Sequence, residues 1–163
     1  VRDEYIRRER HDLADAVARD KEKSLAPLGP GALFGTCFRL EGVKMGSAEV
    51  PRGGDLIAEY QWSLQCDARK DLGVFVHFDG PAKKRFQDDH VPLDGAYPLN
   101  RWPIGEVIRE KRTVRVPKDI PSGEYRVFVG VVDRRLLNRR LHVVEPDGIV
   151  EGDRFLAAKV AVR

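Results

Sequence analysis

No run of apolar residues in this chain approaches the ~20 that a helix needs to cross a bilayer, so no segment reads as a helical membrane span. Cysteine is scarce: Cys37 and Cys66 stand alone, with neither CxxC nor metal-ligand spacing, which removes zinc ribbons and thioredoxin-type redox chemistry. The two thiols form one disulfide if neighbouring strands juxtapose them, or else are buried separately; their spacing leaves both open and does not fix the compartment. Catalytic motifs are missing as well. Ser47, Ser63 and Ser122 have no G-x-S-x-G elbow, there is no HExxH, and Asp88-Asp89 lacks the Gly and terminal Glu of a calcium loop. The glycines at 29–31 and 53–54 match neither GxxxxGK nor GxGxxG. The start, VRDEYIRRERHDLADAVARDKEK, has no initiator Met and no apolar signal core, and reads as an excised fragment or mature chain whose upstream part would hold any anchor.

Charge of one sign is lacking too. The net +3 arises from 29 basic and 26 acidic residues mixed along the chain, which does not point to nucleic acid. The densest basic run, Arg134, Arg135, Arg139 and Arg140 around Leu136-Leu137, reads as a solvated turn or a phosphate-contacting hairpin tip. At 163 residues and 42% hydrophobic content the chain suits one domain with a real core and an appendage.

Two regions follow from periodicity. Residues 1–26 form a charged, helix-compatible arm, with Tyr5, Ile6, Leu13, Ala14, Val17 and Ala18 as a thin apolar stripe that needs a partner to be stable. Pro27, Gly29, Pro30 and Gly31 break it, and from residue 33 to 163 the period moves towards two. Strands are expected at 33–43, 56–65, 72–78, 113–116, 124–132, 136–144 and 154–162, bounded by Gly, Pro and Asp turns. In LIAEYQWSLQ, Leu56, Ala58, Tyr60, Trp62 and Leu64 share a face, and in EYRVFVGVV so do Tyr125, Val127, Val129 and Val131. Short strands without βα alternation predict an all-β, antiparallel two-sheet sandwich.

The chemistry concentrates in residues 74–102, VFVHFDGPAKKRFQDDHVPLDGAYPLNRW. His77, Asp79, Asp89 and His90 are ligand types for zinc, manganese or iron, although their spacing matches no metal signature. The alternative is a structural network in which His77, Asp88, Asp89 and His90 bond the loop to itself, and no metal is assigned. Tyr97, Trp102, Asp94, Asn100 and Arg101 offer the aromatic platform and hydrogen-bonding groups of a sugar site, or else Tyr97-Pro98 and Trp102-Pro103 pin the loop across the sheet.

The motifs VFVHF (74–78), QDDHVP (87–92), GAYP (95–98), RWPIGEVI (101–108), IPSGEYRVFVGVVD (120–133) and DRFLAAKVAV (153–162) together resemble a bacterial β-sandwich module. Such modules occur at the extracytoplasmic ends of membrane-anchored proteins, including polytopic glycosyltransferase-like ones. The likeness spans 33–163. It implies an immunoglobulin-like sandwich with an N-terminal helical arm, periplasmic or otherwise beyond a membrane and tethered through an upstream anchor. The expected role is a non-catalytic interaction or accessory module with no cofactor, whose partner is a protein or envelope component. A carbohydrate-binding module is the alternative and a metal-dependent enzyme the second; nucleic acid is not expected.

Overall fold

The computed structural model describes residues 30–67 and 71–163. The expected helical arm at 1–26 lies outside the described residues. Among the described residues, eleven strands make two facing sheets: β1 (Ala32–Phe34), β2 (Phe38–Met45), β3 (Glu49–Val50), β4 (Asp55–Leu64), β5 (Leu72–Asp79), β6 (Arg85–Gln87), β7 (Ile108–Arg115), β8 (Gly123–Asp133), β9 (Arg139–Arg140), β10 (Val143–Val144) and β11 (Phe155–Val162). One sheet runs β10-β1-β2-β4-β7; the other runs β3-β11-β8-β5-β6, with β9 joining β8. Among the described residues the pairings are antiparallel except β3 beside β11, which departs from the purely antiparallel expectation.

The period-two pattern seats the core. Leu56, Ala58, Tyr60, Trp62 and Leu64 of β4 face Val74, Val76 and Phe78 of β5 and Tyr125, Val127, Val129 and Val131 of β8 across the sandwich. Trp62 stacks on Phe38 at 4.7 Å between ring centroids, and Phe78 on Phe86 at 4.3 Å, contacts that add about 0.5–1.5 kcal/mol each beyond area burial. At the entry to β8 the Tyr125 hydroxyl donates to the Pro121 carbonyl at 2.7 Å, fixing the corner where the chain leaves β7's sheet for β8's.

Two expected elements differ. The strand at 113–116 extends back to Ile108, because Glu110 and Arg112 occupy its inward face instead of apolar residues. The strand at 136–144 is two two-residue strands: β9 pairs with β8 and β10 with β1, so the chain changes sheets between them. A turn at Arg134–Leu136 with positive φ at Leu137 and Asn138 interrupts the expected run, and no period-two pattern reports a change of sheet.

β5 and β8 are also buried on their outer face. Phe75 lies against Gly130, where a Cβ would fall inside the phenyl ring, and His77 sits opposite Phe128. Cys37 and Cys66 are joined in a disulfide with their Cα atoms 5.0 Å apart, tying the β1–β2 turn to the end of β4. The bridge closes a separation of 29 residues, so Cys66→Ser is expected to lower unfolding free energy in urea by roughly 2–4 kcal/mol. A loss below about 1 kcal/mol would show that the native pairings restrain this loop without it.

Candidate functional site

The centre of the loop region is a residue outside it. Glu110, 2% exposed, projects from β7 into the sandwich and accepts hydrogen bonds from the Trp62 indole at 3.2 Å and the Leu93 amide. His90 Nε2 lies 2.9 Å from the same carboxylate, and His90 Nδ1 2.9 Å from the Asp88 carbonyl. One buried acid thus meets β4 and two points of the loop. Burial lowers the His90 pKa, but the bond to Glu110 and its charge outweigh this and hold it above the ordinary value.

Beside it, Arg112 of β7 grips Asp88 through Nε at 2.8 Å and Nη2 at 3.0 Å, and reaches Asp94 at 2.8 Å. The Asp88 hydrogen bond is the main reason that the guanidinium pKa is raised. Residues 88–90 run along β5: the Val74 and His90 amides exchange bonds with each other's carbonyls, and Asp89 Oδ1 accepts from the Val76 amide at 3.2 Å. Tyr60 packs beside His90, and burial, then the charges of Asp88 and Glu110, push its phenol pKa up.

The four residues considered as metal ligands do not converge. His90 faces Glu110 in the sandwich and Asp89 the β5 backbone, whereas His77 projects from the opposite face of β5. There His77 Nδ1 lies 3.1 Å from Arg154 Nη1, which also reaches Asp79 at 2.8 Å. A guanidinium only donates, so His77 Nδ1 accepts and the neutral ring carries its proton on Nε2. Burial first, then the Arg85 and Arg154 charges, bring the His77 pKa down to about 4. Bonds from Arg85 and Arg154 overcome the effect of burial on Asp79 and hold its carboxyl below the ordinary range.

The five residues considered for a sugar are divided. Trp102 is 4% exposed, donating from Nε1 to the Tyr97 carbonyl at 2.8 Å and tilted against Phe38, so it offers no open platform. Tyr97 is nearly buried, and its hydroxyl donates to the Arg101 carbonyl at 3.3 Å. Asp94 is held by Arg112, and Arg101 lies on the surface. Only Tyr97 and Asn100 line the cleft of about 680 Å³ beside the loop, which Pro92, Asp71, Arg134 and Arg135 also border. Arg134 reaches Asp71 at 3.3 Å, and the Arg135 amide donates to the buried Asp133 carboxylate at 3.0 Å.

Sequence reasoning missed Glu110, Arg112 and Arg154. The first two had one available signal: in IREKRTV they alternate in phase with Ile108 and Val114, the buried face of the strand. Arg154 had none, since it meets His77 only by a contact 77 positions away.

Glu110→Ala strands the Trp62, Leu93 and His90 donors and is expected to cost about 3–5 kcal/mol in chemical denaturation, against about 1 kcal/mol for Asp89→Ala. His77 gives a second expectation. Its proton is bound by the unfolded chain but not the native one between about pH 6.5 and the native value of about 4. Its contribution is therefore complete above about pH 6.5 and lost as pH falls through that window. Comparing urea midpoints of the wild type and His77→Gln from pH 7 to 4 should show a steeper acid-side decline in the wild type.

No protein-family model matches the chain, and no curated protein matches it. Among solved structures, the C-terminal domain of wzt is similar at a TM-score of 0.54 with 12% identity, covering 84% of this chain and 81% of that one. A Niemann-Pick type C2 protein from Japanese carpenter ant aligns at 0.47 with 10% identity over 85% of this chain and 100% of that one. Pseudomonas fluorescens alkylpurine DNA glycosylase AlkC aligns at 0.35 with 14% identity, covering 75% and 30% respectively. The described residues form an immunoglobulin-like β-sandwich.

Proposed function

We propose that this domain is a non-catalytic accessory module that acts outside the cytoplasm as part of a membrane-associated or envelope protein, docking a protein partner with the end of the sandwich formed by the 91–102 loop and the 134–138 turn. The observation that carries this is Leu137. It is 98% exposed at the tip of the turn, beside an exposed Leu136, and holds φ at 53°. A leucine in the left-handed region costs about 1–2 kcal/mol, and here no burial offsets it. Strain and exposure at one residue are what a binding turn retains and a purely structural turn sheds.

The neighbouring loop supports the same reading. Its histidine, carboxylates and aromatic groups are engaged within the chain, which gives a preorganised surface with little ordering cost on contact. The Cys37–Cys66 disulfide supports an oxidising compartment. A glycan is the second reading, favoured by the cleft that Asn100, Tyr97, Asp71 and the two arginines border.

A photo-crosslinking residue at position 137, with one at Lys118 as control, tests the docking end in the intact envelope. The expected result is one discrete adduct from 137, absent at 118 and lost when Leu136→Asp is added. Identical patterns at both positions would sink the proposal. With the photo-crosslinking residue moved to position 136, Leu137→Asn should raise stability by about 1 kcal/mol while weakening the adduct, because Asn tolerates positive φ. Saturable chemical-shift changes at Asn100 with neutral oligosaccharides would favour the glycan instead.

A further inference from the structure

The outer face of the β5-β8 sheet carries a second feature, unconnected to the docking end in the proposal above. Aromatic rings and cations are layered there. Arg140 of β9 lies over Phe75 at 4.6 Å, Phe75 packs on His77 at 4.9 Å, His77 bonds Arg154, and Arg154 lies over Phe128 at 4.1 Å. Ring faces hold guanidiniums in place without neutralising them. Beside this layer is an open hollow of about 310 Å³ lined by His77, Arg85, Arg140, Glu151, Gly152 and Arg154.

The donors of that hollow divide into used and unused. Arg154 is spent: it reaches Asp79, Glu151 and His77 and is almost wholly buried. Arg85 gives Nε and Nη2 to Asp79, leaving Nη1 without a partner among the described residues. Arg140 has no hydrogen bond or ion pair from its guanidinium among the described residues, only the Phe75 face. His77 is 4% exposed, and its Nε2 has no partner among the described residues, although Arg154 forces the ring proton onto that atom. An N–H donor facing an open hollow takes its acceptor from water or from a ligand held there.

Charge points the same way. The lining groups and their ion-pair partners comprise the guanidiniums of Arg85, Arg126, Arg140 and Arg154 against the carboxylates of Asp79 and Glu151. Two positive charges are left over. The free donors come from three strands of one sheet, β5, β6 and β9, and so border the hollow at three separate positions. A carboxylate offers two in-plane oxygens, suited to one guanidinium fork, whereas a tetrahedral oxyanion offers acceptors to several directions at once.

We propose that this hollow is a phosphate-binding site in which Arg140 supplies the guanidinium fork, Arg85 Nη1 a second cationic donor and His77 Nε2–H a neutral one. The low His77 pKa supports that role by keeping the ring neutral at neutral pH, while the Arg154 bond keeps its proton on Nε2. The phosphate is either free or carried as an ester on a larger ligand, and the group recognised is the same.

Titration of the whole chain with inorganic phosphate at constant ionic strength, followed by ¹⁵N resonances of the His77 ring and the Arg140 Nε, tests the site. Saturable shifts at both, reproduced by sulfate, are expected. Arg140→Ala should weaken binding about tenfold or more, and Arg85→Ala should weaken it too, while Arg139→Ala on the same strand leaves it unchanged. Arg140 and Arg85 are exposed, so both variants should fold, and Arg140→Lys, which keeps the charge but not the fork, provides a second check. Equal losses from Arg139→Ala and Arg140→Ala would reduce the effect to general surface charge and overturn the site. Acetate binding as tightly as phosphate would overturn the tetrahedral assignment. Glycerol phosphate binding more tightly than inorganic phosphate assigns the site to an ester; the reverse assigns it to the free ion.

Discussion

A carboxylate inside the sandwich is the constraint on which the long loop depends. An ionised acid removed from water costs several kcal/mol unless its acceptor sites are filled, and Glu110 is filled by an indole, an imidazole and a backbone amide. Two of those three donors come from the loop. The loop therefore cannot leave the sheet without exposing an unpaired charge, and Arg112 repeats the arrangement at the surface with Asp88 and Asp94. Irregular backbone that would otherwise be free to sample many conformations is held by polar contacts at one end and by Trp102 and Tyr97 at the other.

The same stretch of chain is divided by the pleat of β5. Val74, Val76 and Phe78 enter the core, while Phe75 and His77 project outward and are covered by arginines. His77 and His90, close in sequence and alike in chemistry, consequently end in different environments. One is kept neutral by burial and neighbouring cations; the other is favoured in its charged form by a buried acid. This separation dissolves the candidate metal set and creates the two features that replace it, a locked loop on one side and a cationic hollow on the other.

Exposure follows a related division of labour. The aromatic residues expected to meet a ligand are inside, holding the loop, whereas the turn that read as solvated carries the most exposed large apolar side chain among the described residues. Rigid elements and the surface they present are thus supplied by different residues. A stiff loop flanks a strained tip, and the Asp71–Arg134 contact ties the start of that turn to the residue before β5 at the edge of the cleft.

Composition and spacing by themselves determined the sandwich, because burying one face of a strand imposes a period of two, and Leu56 to Leu64 and Tyr125 to Val131 show it directly. The crowding of chemistry into 74–102 was equally legible. Tertiary structure alone decided what each polar residue does. Glu110 acquires its meaning from His90 and Trp62, 20 and 48 positions away, and Arg154 from His77, 77 positions away. It also decided that Cys37 and Cys66 pair and that the 136–144 run splits between sheets. The physical reason is that hydrophobic burial is periodic along the chain, whereas hydrogen bonds and ion pairs are matched across it.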